Sequence, residues 1–170
     1  SFTDEKKRYD LHDNNPEQLG YRKFLGKVLS PVSIKLPNHA AGIDYGSGPY
    51  PLLSQMLTEK GYKMAHFDPF YANNKQILES TYDFLTCTEV VEHFRNPAKE
   101  FDRIFSLVNK RGWIIIMTQI LEDKTDFPSW YYIRDETHIC FYSKDTFKWL
   151  AQKYEISVEF WGSSLVLFQI

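Results

Sequence analysis

Glu89, Glu92 and His93 occupy the stretch EVVEH at positions i, i+3 and i+4. On a helical turn these three side chains share one face. Two carboxylates and an imidazole form a hard-to-borderline donor set, suited to Mg2+, Mn2+ or Fe2+. His138, in DETHICFYS, supplies a fourth donor if its loop returns to the same edge of a sheet. The same residues also serve chemistry without a metal. Imidazole is suited to acid–base work near neutral pH, so His93 and His138 can act as bases or hold an acceptor. Glu92 then caps or orients its neighbours, and Glu89 is solvated.

A second constellation is GIDYGSGPY, residues 42–50. No lysine follows Gly48, which excludes a P-loop. Pro51 stands where a dinucleotide fingerprint has its third glycine. What remains is Asp44-x-Gly46-x-Gly48, with Asp68 a further 20 residues along. Two glycines let backbone approach a ligand closely, and a helix N-terminus behind them offers unpaired N–H groups. Asp68, at the end of the next strand, is placed to accept both hydroxyls of a ribose. Asp44 is placed to face an ammonium or to hold the loop. A ligand with an amino-acid end, a ribose and no phosphate matches this set, and S-adenosylmethionine is such a ligand. A plain tight turn is the simpler alternative.

Two further stretches carry reactive side chains. WYYIRDETH, residues 130–138, offers the aromatic faces of Trp130, Tyr131 and Tyr132 beside Arg134 and Asp135. It reads as an acceptor-binding loop or as an apolar plug with a surface ion pair. In RYDLHDNNP, Tyr9, His12 and Asn14 form either a lid or a polar lead-in to the first helix. His39 and His66 are assigned no role, and Cys87 reads as a buried apolar residue.

The elements that position these residues follow from periodicity. Tyr21, Phe24, Leu25, Val28 and Leu29 predict a helix ending before Pro31. Ala40 to Tyr45 is a short apolar strand. Pro49 and Pro51 suit the first turn of a helix bearing Leu52, Leu53, Met56 and Leu57 and ended by Gly61. Tyr62 to Phe67 is the next strand, completing a right-handed βαβ unit. Residues 69–81 are too few for a strand and a helix, so the third strand is abbreviated. Tyr82 to Thr88 is a strand, Phe101, Ile104, Phe105 and Val108 mark a helix, and Gly112 to Thr118 is a β-branched strand. Ser143 caps a helix reaching about Lys153. Glu155 to Trp161 and Leu165 to Gln169 form an antiparallel hairpin across Gly162-Ser163-Ser164. The sum is one α/β domain, Rossmann-like, with a mostly parallel sheet and an antiparallel C-terminal edge. Residues 1–36 are read as an N-terminal lid and helix of the same domain, and 37–170 as its ligand-binding body.

Composition narrows the function classes. The 170 residues suffice for one cored domain. A net charge of −2 provides no global field for nucleic acid or anionic membrane. The run Lys6-Lys7-Arg8 reads as a solvated tail. No apolar stretch reaches the length of a membrane span, so no membrane partner is expected. Two cysteines without a CxxC motif predict a reduced, cytoplasmic setting. The chain begins with Ser1 and is compatible with a longer parent. The aromatic share, 16%, suits core packing and also a flat apolar pocket. Oligomeric state is left open, although the final hairpin leaves an edge for pairing.

The run YDFLTCTEVVEHFRNP, followed by LVNKRGWIIIMT and preceded by GIDYGSG and HFDP, resembles the class I S-adenosylmethionine-dependent methyltransferases over residues 40–170. LTCTEVVEH is especially similar to the ubiquinone-pathway O-methyltransferases. The resemblance implies that Gly46 and Gly48, Asp68 and Thr88 bind the cofactor, with Asp44 beside them. Glu-x-x-Glu-His with a later histidine also resembles the small-RNA 2′-O-methyltransferases, which implies a divalent metal on Glu89, Glu92, His93 and His138. Tyr50 departs from the family pattern, standing where many members have a third glycine. The expected activity is methyl transfer to an oxygen nucleophile of a small molecule, with His93 and His138 at the acceptor. RNA 2′-O-methylation with a divalent metal is the rival reading; the acidic charge balance and the lack of a basic stripe weigh against it. A binding module that retains the fold without turnover is the other.

Overall fold

The computed structural model describes residues 19–170. The expected lid residues Tyr9, His12 and Asn14 lie outside the described residues.

Helix α1 (Leu19–Lys35) opens the described chain. It runs through Pro31, where the sequence predicted a stop. Proline removes one helical hydrogen bond and crowds the preceding turn. Here its ring is buried with Leu25, Val28 and Val32 on the helix's inner face, so packing overrides the local penalty. Strand β1 (Ala41–Tyr45) leads through the glycine turn into α2 (Leu52–Glu59), and β2 (Lys63–Phe67) completes the first parallel unit. Gly61 ends that helix at φ +93°, as its sequence position requires. Strand β3 (Tyr82–Thr88), helix α3 (Pro97–Ser106) and strand β4 (Val108–Met117) form the second unit. Asn96 caps α3, its side chain accepting from the Lys99 N–H. The short strands β5 (Ile120–Leu121) and β6 (Tyr142–Ser143) pair in parallel and bracket the loop between them. Ser143 and Thr146 form a capping box at the start of α4 (Lys144–Lys153). Strands β7 (Ser157–Trp161) and β8 (Leu165–Gln169) form the closing hairpin.

The main sheet has the order β2-β1-β3-β4-β8-β7. Its first four strands are parallel, and β8 and β7 join antiparallel. Among the described residues no strand lies outside β2: residues 68–81 make only an Asp68–Ala72 bridge and a 3-10 turn, Lys75–Glu79. Successive residues of β4 point to opposite faces. Trp113, Ile115 and Met117 pack with α1 and α2, whereas Ile114 and Ile116 pack with α3 and α4. The unbroken apolar run of this strand is thus explained by burial on both sides. Each such side chain contributes roughly 1.5–3 kcal/mol. The carboxyl ends of β1 to β4 face one way, and the loops that follow them build the site.

Candidate active site

A cleft of about 990 Å³ runs along these strand ends. One pole is built on the glycine turn. Gly46 and Gly48 have φ of +82° and +67°, a region that side chains rarely adopt. At Gly46 a Cβ would also collide with Val90. At Gly48 the space is open, with no atom within 4 Å of such a Cβ. The Gly46 and Ser47 amides donate to the Phe67 carbonyl at 2.7 and 3.1 Å, tying the turn to β2.

Asp68 reinforces that tie. Its Oδ2 accepts from Gly48 N–H at 2.9 Å, and its Oδ1 from Phe70 and Tyr71 N–H at 2.8 and 3.1 Å. A carboxylate has about four lone-pair positions, so about one is left for a ribose hydroxyl. The sequence reading gave it both hydroxyls; here its first duty is to clamp the turn. Asp44 sits outside the main cleft, in a small adjoining pocket that also touches Gly46, Ser47, Tyr50 and Thr88. It is buried and accepts from Thr86 Oγ1 at 2.8 Å. Burial pushes its carboxyl up to about 6, against the pull of the Thr86 bond. Thr88 lines both spaces, and its buried Oγ1 has no partner among the described residues. The open space over Gly48, the orphaned Thr88 hydroxyl and the two acids fit a ligand with a ribose and an ammonium group.

The other pole lies past the end of β3. The sequence placed Glu89, Glu92 and His93 on one helical face. Instead Val91–His93 is a 3-10 turn, and Glu89 precedes it at φ +51°, its N–H bound to the Met117 carbonyl. Long-range contacts do the gathering. One donor atom each from Glu92, His93 and His138 lies within 4.8 Å of the others. Glu89 is outside that set but adjacent: its Oε2 is 3.3 Å from the Tyr132 hydroxyl, and its Oε1 is buried without a partner among the described residues. Glu92 is fully buried, bound by Tyr132 at 2.5 Å on Oε1 and by Thr118 at 3.1 Å on Oε2.

Both imidazoles are oriented by backbone. His93 Nδ1 faces the Thr137 carbonyl at 2.9 Å, and His138 Nδ1 faces the Tyr132 carbonyl at 2.7 Å. A carbonyl only accepts, so each Nδ1 carries a ring proton, and in the neutral ring Nε2 is then the atom with the lone pair. Burial lowers the His93 pKa and favours this neutral form. Burial, then the neighbouring Glu92, pushes Glu89 up to about 8, so it is mostly protonated at neutral pH. The walls are aromatic and apolar: Tyr21, Phe24 and Leu25 of α1, with Tyr131 and Tyr132 opposite.

Sequence reasoning missed Thr118 as a partner of Glu92 and took Tyr132 for a stacking face. It also missed a trio on the cleft floor, where Tyr45 donates to Glu100 at 2.7 Å and Arg103 reaches Glu100 at 3.2 Å. Helical spacing pointed to Tyr21 and Phe24 only as core.

Residues 18–159 match a family described as methyltransferase domain. The chain belongs to that family. Its sheet, with an antiparallel C-terminal edge and helices on both sides, is that of the class I S-adenosylmethionine-dependent enzymes. The ubiquinone biosynthesis O-methyltransferase of Aeromonas salmonicida is 28% identical over 93 residues, covering 55% of this chain and 39% of that protein. The protein of the same description from Shewanella pealeana is 23% identical over 123 residues, covering 64% and 52%. The methyltransferase domain here thus spans about half or less of the curated relatives it matches. Among solved structures, magnesium protoporphyrin IX methyltransferase from Synechocystis PCC 6803, with bound S-adenosylhomocysteine, superposes at a TM-score of 0.62 and 13% identity, covering 89% of this chain and 83% of that one. At that identity the likeness is one of fold. Among the described residues no helix is long and apolar enough to cross a membrane.

Proposed function

We propose that the chain methylates an oxygen nucleophile of a small molecule, with S-adenosylmethionine as donor. The observation that carries this reading is the convergence of Glu92, His93 and His138 at one end of a cleft whose other end is the glycine turn. The bound cofactor supplies an electrophilic methyl on a sulfonium. The chain's own residues hold and orient. Gly46 and Gly48 bring backbone close, Asp68 and Thr88 meet the ribose and the amino-acid end, and Asp44 complements the ammonium. A lone pair on Nε2 of His138, with His93 beside it, accepts the proton of an acceptor hydroxyl and aims its oxygen. Tyr21 and Phe24 of α1 exclude water from the space between. The two relatives are themselves described as O-methyltransferases, which supports an oxygen acceptor.

A divalent ion on the same donors is a second reading, favoured by the clustering and by the orphaned Glu89 Oε1. Glu92, His93 and His138 would hold it, with Glu89 next to them, and it would acidify the acceptor hydroxyl. Two imidazoles and a carboxylate suit Mn2+, and less well Mg2+. The acceptor is a small molecule, since the net charge of −2 does not favour RNA. Both cysteines are free thiols, in keeping with a reduced, cytoplasmic setting.

The test is calorimetric titration with S-adenosylhomocysteine, with and without Mn2+ or Mg2+. Micromolar binding that Asp68→Ala abolishes supports the cofactor assignment. Tightening by Mn2+ that His138→Ala removes supports the ion. Methyl transfer to a panel of hydroxylated small molecules then identifies the acceptor. No binding of S-adenosylhomocysteine under any condition overturns the reading.

A further inference from the structure

Tyr132 touches the donor cluster with both its side chain and its main chain. Its hydroxyl is 2.5 Å from Glu92 Oε1 and 3.3 Å from Glu89 Oε2. Its main-chain carbonyl receives His138 Nδ1 at 2.7 Å, and its ring lies 4.2 Å from the His138 ring, centroid to centroid. Yet it arrives from a different loop, 40 residues beyond Glu92. It is buried among Trp130, Phe141 and His138, which fixes its ring.

Proton supply sharpens the picture. Glu92, as a carboxylate, accepts from Tyr132 and from Thr118. The phenol has a single proton and gives it to Glu92 in the shorter contact. The Glu89 contact then needs a proton from Glu89 itself. The phenol oxygen thus touches both buried acids.

We infer that Tyr132 is the positioning residue of the acceptor site: it sets the spacing of Glu89 and Glu92 and fixes the tautomer and aim of His138. The inference rests on the acceptor-site reading above and assigns Tyr132 no contact with the reacting atoms.

The experiment compares wild type with Tyr132→Phe, which keeps the ring and removes only the hydroxyl. Three quantities are read: S-adenosylhomocysteine affinity by calorimetry, Mn2+ affinity in the absence of other ligands, and the His138 ring tautomer from long-range proton–nitrogen NMR. The expected result is S-adenosylhomocysteine affinity within about twofold and Mn2+ affinity weaker by about 10–100-fold, with the single Nδ1–H form of His138 retained because its partner is the main-chain carbonyl of residue 132. A purely structural role would lower all affinities together. If Tyr132→Phe weakens S-adenosylhomocysteine in parallel, Thr118→Val takes over. It releases the other Glu92 oxygen, and it should weaken Mn2+ while leaving the His138 tautomer single. Unchanged Mn2+ affinity in Tyr132→Phe overturns the inference. If wild type takes up no Mn2+, the metal reading falls, and a crystal structure of Tyr132→Phe decides: Glu89 and Glu92 carboxylates in unchanged positions overturn the inference.

Discussion

The two poles of the cleft are built in different ways. The glycine-turn pole is made mostly of backbone: amides of Gly46, Ser47, Gly48, Phe70 and Tyr71 are bound to a carbonyl or carboxylate at the end of β2. The donor pole is made of side chains from two separate segments, residues 89–93 and 132–138, with Thr118 of a third bound to Glu92. Backbone geometry depends on a few residues with special φ and on one clamp. A side-chain cluster depends on partners distant in sequence. The first should fail abruptly, and the second should fail by degrees and independently of the first.

Asp68→Ala is the severest break. It strands three amides that now bind a charged acceptor, each such bond being worth about 1.5–3 kcal/mol. Thermal melting should show a loss of several degrees, and S-adenosylhomocysteine binding should vanish from calorimetry. Gly46→Ala comes next. It combines a left-handed φ with a collision on Val90, whereas Gly48→Ala meets only the φ penalty of about 1–2 kcal/mol. Gly46→Ala should therefore weaken S-adenosylhomocysteine more than Gly48→Ala does, by about tenfold or more. Equal losses would mean that the Val90 contact is easily relieved.

His138→Ala tests the independence of the poles. S-adenosylhomocysteine affinity should stay within about twofold, while Mn2+ affinity falls by at least about tenfold. A parallel loss of both would show that the poles are coupled.

The smallest effect is in pH dependence. Glu89 is raised from 4.5 to about 8 and Asp44 from 3.8 to about 6, burial being the first cause in each. The folded state therefore holds more protons than the unfolded one, and stability falls as pH rises through these windows. Asp44 loses its advantage between about 3.8 and 6, and Glu89 between about 4.5 and 8. Glu89→Gln should flatten the fall between pH 6 and 8 in denaturant titrations, leaving the acidic part to Asp44.

The same contrast explains what was legible in the sequence. The glycine turn, Gly61 and the Ser143 cap are local signals with a direct conformational meaning, and each stands where it was expected. The missing third strand followed from simple length, since residues 69–81 cannot hold a strand and a helix. Pro31 misled because the burial that tolerates it comes from a tertiary face no window of sequence displays. In EVVEH the shared face was conditional on a helical turn, and Glu89 sits in a left-handed turn instead. Tyr132 and Thr118 were invisible as partners, because nothing local in YYIRD or MTQ indicates a contact with Glu92.

Residues 122–141 leave the fold from β5 and re-enter it at β6, the strand paired with β5. The two ends of the excursion are therefore fastened side by side regardless of what lies between. A segment rooted in this way can be exchanged for one of another length or chemistry while the six-stranded sheet keeps its register. On the proposed acceptor-site reading, the loop that carries Tyr132 and His138 can vary without moving the strand ends that carry the glycine turn.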